Sequence, residues 1–230
     1  MERGKRWPSN DQSFQQQKKA AGVFARAEHH RRNGQGERAL EGYNQAITLD
    51  PQHLGYRLAR ARYFYSRGED KAALMDIEYQ LNLQPDNLAV ISLKAQVLSS
   101  SGCQEQAIAC YTNMLELNAA NAGTYYNRGY LYYVLGHYDI SLGDFNEACT
   151  MNPQLFEAFY YRGLILARQG QPEAALIDLL KARSLRPESR QVKEALRQLK
   201  EQYNLDTRYS RPTKKPKILP FHKSRLNWFN

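Results

Sequence analysis

The chain has 230 residues, 42% of them apolar, and a formal net charge of +9, enough apolar material for a folded core but with no run near the roughly 20 residues of a membrane-spanning helix. The N-terminal stretch MERGKRWPSNDQSFQQQKK is charged but has no apolar segment behind it, which argues against a secretory signal. Three cysteines, Cys103, Cys110 and Cys149, are odd in number and lack metal-ligand spacing; this disfavours a disulfide framework and favours a reducing, cytoplasmic setting, nuclear or assembly-associated in a eukaryote.

Residues 1–19 are polar, Gln-rich and basic, with five Lys/Arg against two acids. They read as a flexible leader in which helix begins from about Ser13. From Ala20 a pattern of two amphipathic segments and a turn starts, and it returns about every 34 residues. The first unit carries Ala27, Gly34, Ala39 and Pro51. The second, from Leu54, carries Ala61, Gly68, Ala73 and Pro85. The third, from Leu88, has Ala95, Gly102 and Ala107, with Ala119 where a proline is expected. The fourth, from Ala122, has Gly129, Gly136, Ser141 and Pro153; the fifth, from Phe156, has Gly163, Gly170, Ala175 and Pro187.

Each repeated residue type has a physical role. A small residue at the eighth position lets the first helix lie close to the second. Glycine at the fifteenth allows the left-handed turn between them. A small residue at the twentieth keeps the second helix thin at the crossing, and the late proline stops that helix. Residues 188–204 then form one more amphipathic helix. Its apolar face is Val192, Leu196, Leu199 and Tyr203; Lys193, Glu194, Arg197, Lys200 and Glu201 lie opposite, as in a capping helix that closes an open end. Residues 205–230 break the pattern with three prolines and seven Lys/Arg against one acid. With the leader they account for the whole excess charge, so residues 20–204 are balanced.

Five units in register over residues 20–187 closely resemble the tetratricopeptide repeat family. The resemblance implies an all-α solenoid: a right-handed superhelix of five helix–turn–helix repeats plus the C-terminal capping helix, over 20–204. It implies that first helices line a concave groove through positions 2, 5, 9 and 12. Position 5 then reads Phe24, Leu58, Ser92, Tyr126 and Tyr160; position 9, Glu28, Arg62, Gln96, Tyr130 and Leu164; position 12, Arg31, Tyr65, Ser99, Tyr133 and Ala167. Position 2 is Ala21, Gly55, Ala89, Gly123 and Glu157. The first half of the groove is mixed and charged, and the second has a wall of Tyr126, Tyr130, Tyr133 and Tyr160, a residue type that joins apolar area to a polar tip at low rotamer cost. Asn127, at the sixth position, matches a site where the family often holds a ligand's backbone amide. Tyr125 and Tyr132 are expected on the packing face. The alternative for the tyrosines is packing against the chain's own tail or a sister subunit.

No phosphate-binding loop, nucleophile elbow or CxxC is present, and adjacent His29 and His30 point about 100° apart on a helix. No catalytic residue, metal site or cofactor is therefore expected, and the chain reads as a non-enzymatic adaptor holding a partner's peptide or helix. Polar groups of Arg31, Arg62 and Asn127 would orient it. The family's carboxylate clamp needs Lys and Asn, then Asn, then Lys and Arg. The best window offers Ser92, Gln96, Asn127, Glu157 and Tyr161, so acidic chaperone tails are not expected as ligands. Two other functions remain open: a tether to nucleic acid or an anionic surface through the basic tail around Arg211, Lys214, Lys215 and Lys217, or a structural subunit of a large assembly whose tails order on neighbours. The apolar Ile218, Leu219 and Phe221 of ILPF could instead plug a groove.

Overall fold

The computed structural model describes residues 10–205, and the remaining residues of the leader and tail lie outside the described residues. Among the described residues there are eleven α-helices and no strand. They are α1 Asn10–Arg32, α2 Gly36–Leu49, α3 Leu54–Ser66, α4 Asp70–Leu83, α5 Leu88–Ser100, α6 Gln104–Glu116, α7 Ala122–Leu135, α8 Tyr138–Met151, α9 Phe156–Arg168, α10 Pro172–Leu185 and α11 Arg190–Tyr203. Helix begins at Asn10, earlier than Ser13, and side chains 12–19 are exposed on the first turns of α1. Apart from α1 the helices are 13 or 14 residues long, a length that is marginal alone in water, so each is held by its neighbours. The chain packs as two compact units that divide between Val97 and Leu98, inside α5.

In the first unit α1 and α2 form one hairpin and α3 and α4 the next. Ala27, Ala39 and Tyr43 are fully buried between α1 and α2. The Tyr43 hydroxyl donates to the carboxylate of Glu28, which also receives Arg31. Gly42 is the thin point of this pair: a Cβ there would lie 2.7 Å from the Ala27 Cβ. A second layer joins Ala61, Ala73 and Ile77 of α3 and α4 to Val90, Leu93 and Val97 of α5.

In the second unit the thin point moves to the first helix of each pair. A Cβ on Gly129 would lie 2.9 Å from the Asp144 Cβ and 3.3 Å from the Phe145 ring; one on Gly163 would meet Leu179 at 3.0 Å. Ser141, fully buried where the other repeats have alanine, donates its Oγ to the Gly129 carbonyl at 2.7 Å and so stays satisfied. Helix α7 ends on Gly136 at φ +82°, with the His137 N–H returning to the Tyr132 carbonyl at 2.9 Å. Only a residue without a Cβ adopts that conformation freely. Gly34, Gly68, Gly102 and Gly170 sit at the same place in their repeats with the same sign of φ. At the third repeat, which lacks the proline, Asn118 takes the left-handed conformation instead, at φ +56°, and Ala119 N–H bonds back to the Met114 carbonyl at 3.0 Å. Helix α6 thus stops without proline. Helix α11 closes the second unit: Val192, Ala195, Leu196, Leu199 and Tyr203 are buried, and Ser189 caps its start by accepting the Val192 N–H.

A recurring ion pair has no counterpart in the repeat pattern read from sequence. Arg60, Arg128 and Arg162, at the seventh position, each grip with two nitrogens the carboxylate sixteen residues on: Asp76 at 2.7 and 2.7 Å, Asp144 at 2.9 and 2.8 Å, Asp178 at 2.7 and 2.7 Å. The third guanidinium nitrogen reaches the preceding repeat, at Asn44 (2.6 Å), Thr112 (3.2 Å) and Asn146 (3.1 Å). Each arginine thereby fixes its helix against two second helices at once. The three aspartates are almost wholly buried, so the pairs are shielded from solvent. In the third repeat Lys94 stands at the arginine position and pairs backward with Glu78 at 3.3 Å, and the residue sixteen on in sequence is Cys110.

Three outcomes are expected. Gly129→Ala lowers the stability of the second unit by about 1–3 kcal/mol in urea unfolding because the helices must part. Gly143→Ala, on exposed α8 surface with nothing within 4 Å of a new Cβ, raises it by about 0.5–1 kcal/mol. Arg162→Ala strands the buried Asp178 carboxylate and lowers stability by about 3 kcal/mol in the same measurement.

Candidate functional site

The second unit gathers its tyrosines into one continuous row. Asn121 sets the start of α7: its Oδ1 accepts the Thr124 N–H at 2.9 Å. From that register Tyr126, Tyr130 and Tyr133 fall on one stripe of the helix. Their rings follow one another at 6.3 and 6.5 Å between centroids, nearly parallel. Helix α9 supplies the facing rings. Tyr161 lies 5.1 Å from both Tyr130 and Tyr133, 5.1 Å from Tyr160, and stacks on Phe145 of α8 at 6.0 Å. Tyr160 stacks on Phe156 at 6.1 Å, and Tyr138 meets Tyr133 edge-on at 5.8 Å. A guanidinium closes each end: Arg186 over Phe156 at 4.5 Å and Arg168 over Tyr138 at 4.6 Å.

Exposure divides the row. Tyr130, Tyr133, Tyr160 and Tyr161 are half-buried, with part of each ring open. Tyr126 is 9% exposed, and its hydroxyl is buried with no hydrogen-bond partner. It forms the floor on which the others rest. Burial pushes every phenol of the row upward: Tyr133 to about 12, Tyr130 and Tyr160 above the ordinary value, and Tyr126 well above it. At neutral pH the row is therefore uncharged. Glu157, beside it at the second position, is buried and neutralised by Arg186 at 2.8 Å.

Tyr161 is the hub of this cluster, and the position-by-position frame does not single it out. Its sequence signal is the doublet Tyr160–Tyr161, one repeat below Tyr125–Tyr126, with a ring at the sixth position where Asn127 stands in α7. Asn127 is half-buried beside the row. Tyr125 and Tyr132 are half-buried, Tyr125 against the apolar cluster of the unit and Tyr132 edge-on to His137 at 6.2 Å.

In the first unit the candidate residues have separate surroundings. Phe24 is half-buried between Tyr43 of α2 (5.9 Å) and Tyr56 of α3 (4.9 Å). Arg31 is ion-paired with Glu28 at 2.9 Å. Leu58 and Tyr65 are half-buried against the core of α3 and α4, and Arg62 is exposed. The basic positions Arg211, Lys214, Lys215 and Lys217 and the ILPF segment lie outside the described residues. Among the described residues no helix is long and apolar enough to cross a membrane, and no three His, Cys, Asp or Glu side chains cluster as metal ligands would.

Solved structures of similar fold are all-helical repeat proteins. MamA residues 41 to the end from Desulfovibrio magneticus RS-1 superposes with a TM-score of 0.67 at 17% identity, over 75% of this chain and 97% of that one. YrrB, described as a TPR protein with an unusual peptide-binding site, gives 0.63 at 22% identity over 77% and 92%. A tetratricopeptide repeat protein from Parabacteroides merdae ATCC 43184 gives 0.70 at 18% identity over 79% and 72%. No curated protein matches the chain in sequence. The tetratricopeptide repeat family itself matches residues 24–86 and 126–190, more than half of the chain. With the helix pairs, left-handed glycine turns and closing helix in place, the chain belongs to the tetratricopeptide repeat family.

Proposed function

We propose that the protein is a non-enzymatic interaction scaffold whose second unit holds an extended, uncharged segment of a partner protein on the tyrosine row. The observation that carries this is the row itself: four half-open phenol rings, neutral at physiological pH, bounded at each end by a guanidinium already engaged with a ring. Such a surface offers ring faces to aliphatic or proline side chains and hydroxyls to a peptide backbone. Tyr130, Tyr133 and Tyr160 are the anchors, Tyr161 is added to them, and Tyr126 supports them from below. Asn127 beside the row offers an amide to the ligand's main chain. Acidic chaperone tails do not suit this surface, because Arg186 is committed to Glu157 and no lysine lies in the row. Arg31, Arg62 and the other first-unit positions would serve a separate, more polar contact. A cytoplasmic setting is consistent with this function.

Two measurements test it. Display of a random peptide library against the full chain should enrich neutral sequences rich in aliphatic, aromatic or proline residues. Tyr130→Ala with Tyr133→Ala should weaken the enriched peptides by about 2 kcal/mol or more, near thirtyfold, with helicity unchanged by circular dichroism. Enrichment that survives the double substitution sinks the proposal. Tyr126→Phe removes a buried hydroxyl that lacks a partner, so it should leave stability unchanged or raise it by about 1 kcal/mol in urea unfolding, and peptide affinity should stay within about twofold.

A further inference from the structure

We infer that the row has a resident occupant, the chain's own Ile218–Leu219–Pro220–Phe221 segment, which an outside ligand must displace; this rests on the row being a peptide site, as proposed above.

The end of α11 aims the chain at the right place. Asn204 takes the left-handed conformation at φ +50°, which folds the backbone over the helix end, and the Leu205 N–H returns to the Lys200 carbonyl at 3.3 Å. Leu205 is half-buried against the same apolar cluster that includes the tyrosines. Tyr203 donates its hydroxyl to the Ala167 carbonyl at 3.1 Å. Ala167 is six residues beyond the hub Tyr161 on α9, about 9 Å along the helix axis. The chain therefore leaves α11 beside one end of the row. Thirteen residues carry it from Leu205 to Ile218, a reach of up to ~43 Å, several times that separation.

The chemistry matches as well. The row is uncharged and aromatic, with four half-buried rings. Residues 218–221 are an uncharged, apolar stretch of the tail, nearer to α11 than the similarly apolar Leu226, Trp228 and Phe229, whereas RPTKKPK before them carries four cations. A segment tethered by so short a linker meets the row at an effective concentration of about 1 mM, so even an affinity too weak to detect between separate molecules keeps it seated much of the time. The consequence is a built-in threshold: a partner binds only if it outcompetes the tether.

The full-length chain provides the test. Hydroxyl-radical footprinting should show Tyr130, Tyr133 and Tyr160 oxidised about twofold faster or more in L219D/F221D than in the unsubstituted chain, as expected when a site half-occupied by a tether of about 1 mM effective concentration is vacated. These substitutions lie in the tail, so the helices stay intact by circular dichroism. In parallel, a benzophenone amino acid placed at Phe221 should crosslink to peptides from α7 or α9 of the same molecule. A mixture of light and 15N-labelled chains separates this from links between copies. Equal oxidation rates, links elsewhere, no links, or links only between copies would each overturn the inference. Peptide enrichment that depends on Tyr130 and Tyr133, combined with any of those results, would leave the binding row standing and remove only its resident occupant.

Discussion

The arrangement of this protein depends on where an arginine side chain is placed. At the seventh position of a repeat the guanidinium clasps a buried carboxylate of its own second helix with two nitrogens and reaches the previous second helix with the third. Hydrophobic contact alone would let neighbouring helices slide, because it is indifferent to small shifts. A bidentate, shielded ion pair is directional and penalises misplacement of either partner. It therefore sets the rotation of the first helix, and with it which residues face the open surface. Tyr161 immediately precedes Arg162, and Asn127 immediately precedes Arg128. The side chains that form the row are held in place by charges they never touch.

Much of the architecture was legible in the residue string. The period of the small residues marked the helix pairs, the fifteenth-position glycines marked the left-handed turns, and the apolar face of the last helix marked the cap; all are local, repeated and driven by steric necessity. The arginine clasps were equally periodic, with Arg and Asp sixteen residues apart in three repeats, but they lie outside a frame built only from small and apolar positions. The stop at Asn118 was not legible, since it replaces a proline signal by a conformation that the residue type permits without demanding it.

The candidate site was legible in part. The stripe of Tyr126, Tyr130 and Tyr133 followed from helical spacing, but spacing does not report depth. Tyr126 is sunk beneath its neighbours because rings from α8 and α9 crowd over it, and that crowding comes from residues in other helices. Tyr161 was missed for the same reason: its importance lies in four ring contacts made across helices, to Tyr126, Tyr130, Tyr133 and Phe145, and the residues of its own repeat do not report them. In the first unit, Phe24 carries a groove position but is occupied by Tyr43 and Tyr56.

The first hairpin differs from the later ones in which partner gives way. In it the narrow residue is Gly42 of the second helix, facing Ala27, whereas in the fourth and fifth repeats it is Gly129 or Gly163 of the first helix. Position 42 is the site that carries aspartate in the repeats with a full clasp, and Arg26 already stands at the matching arginine position. With Ala27 in place, a side chain at position 42 would clash at the present helix separation. Swapping a repeat into another's place, in nature or by design, imports its spacing along with its sequence. A clasped first hairpin can follow either precedent, glycine at position 27 as Gly129 faces Asp144, or the alanine–aspartate pair of Ala61 and Asp76, so the order in which substitutions arrive decides whether the aspartate meets a crowded or an open site.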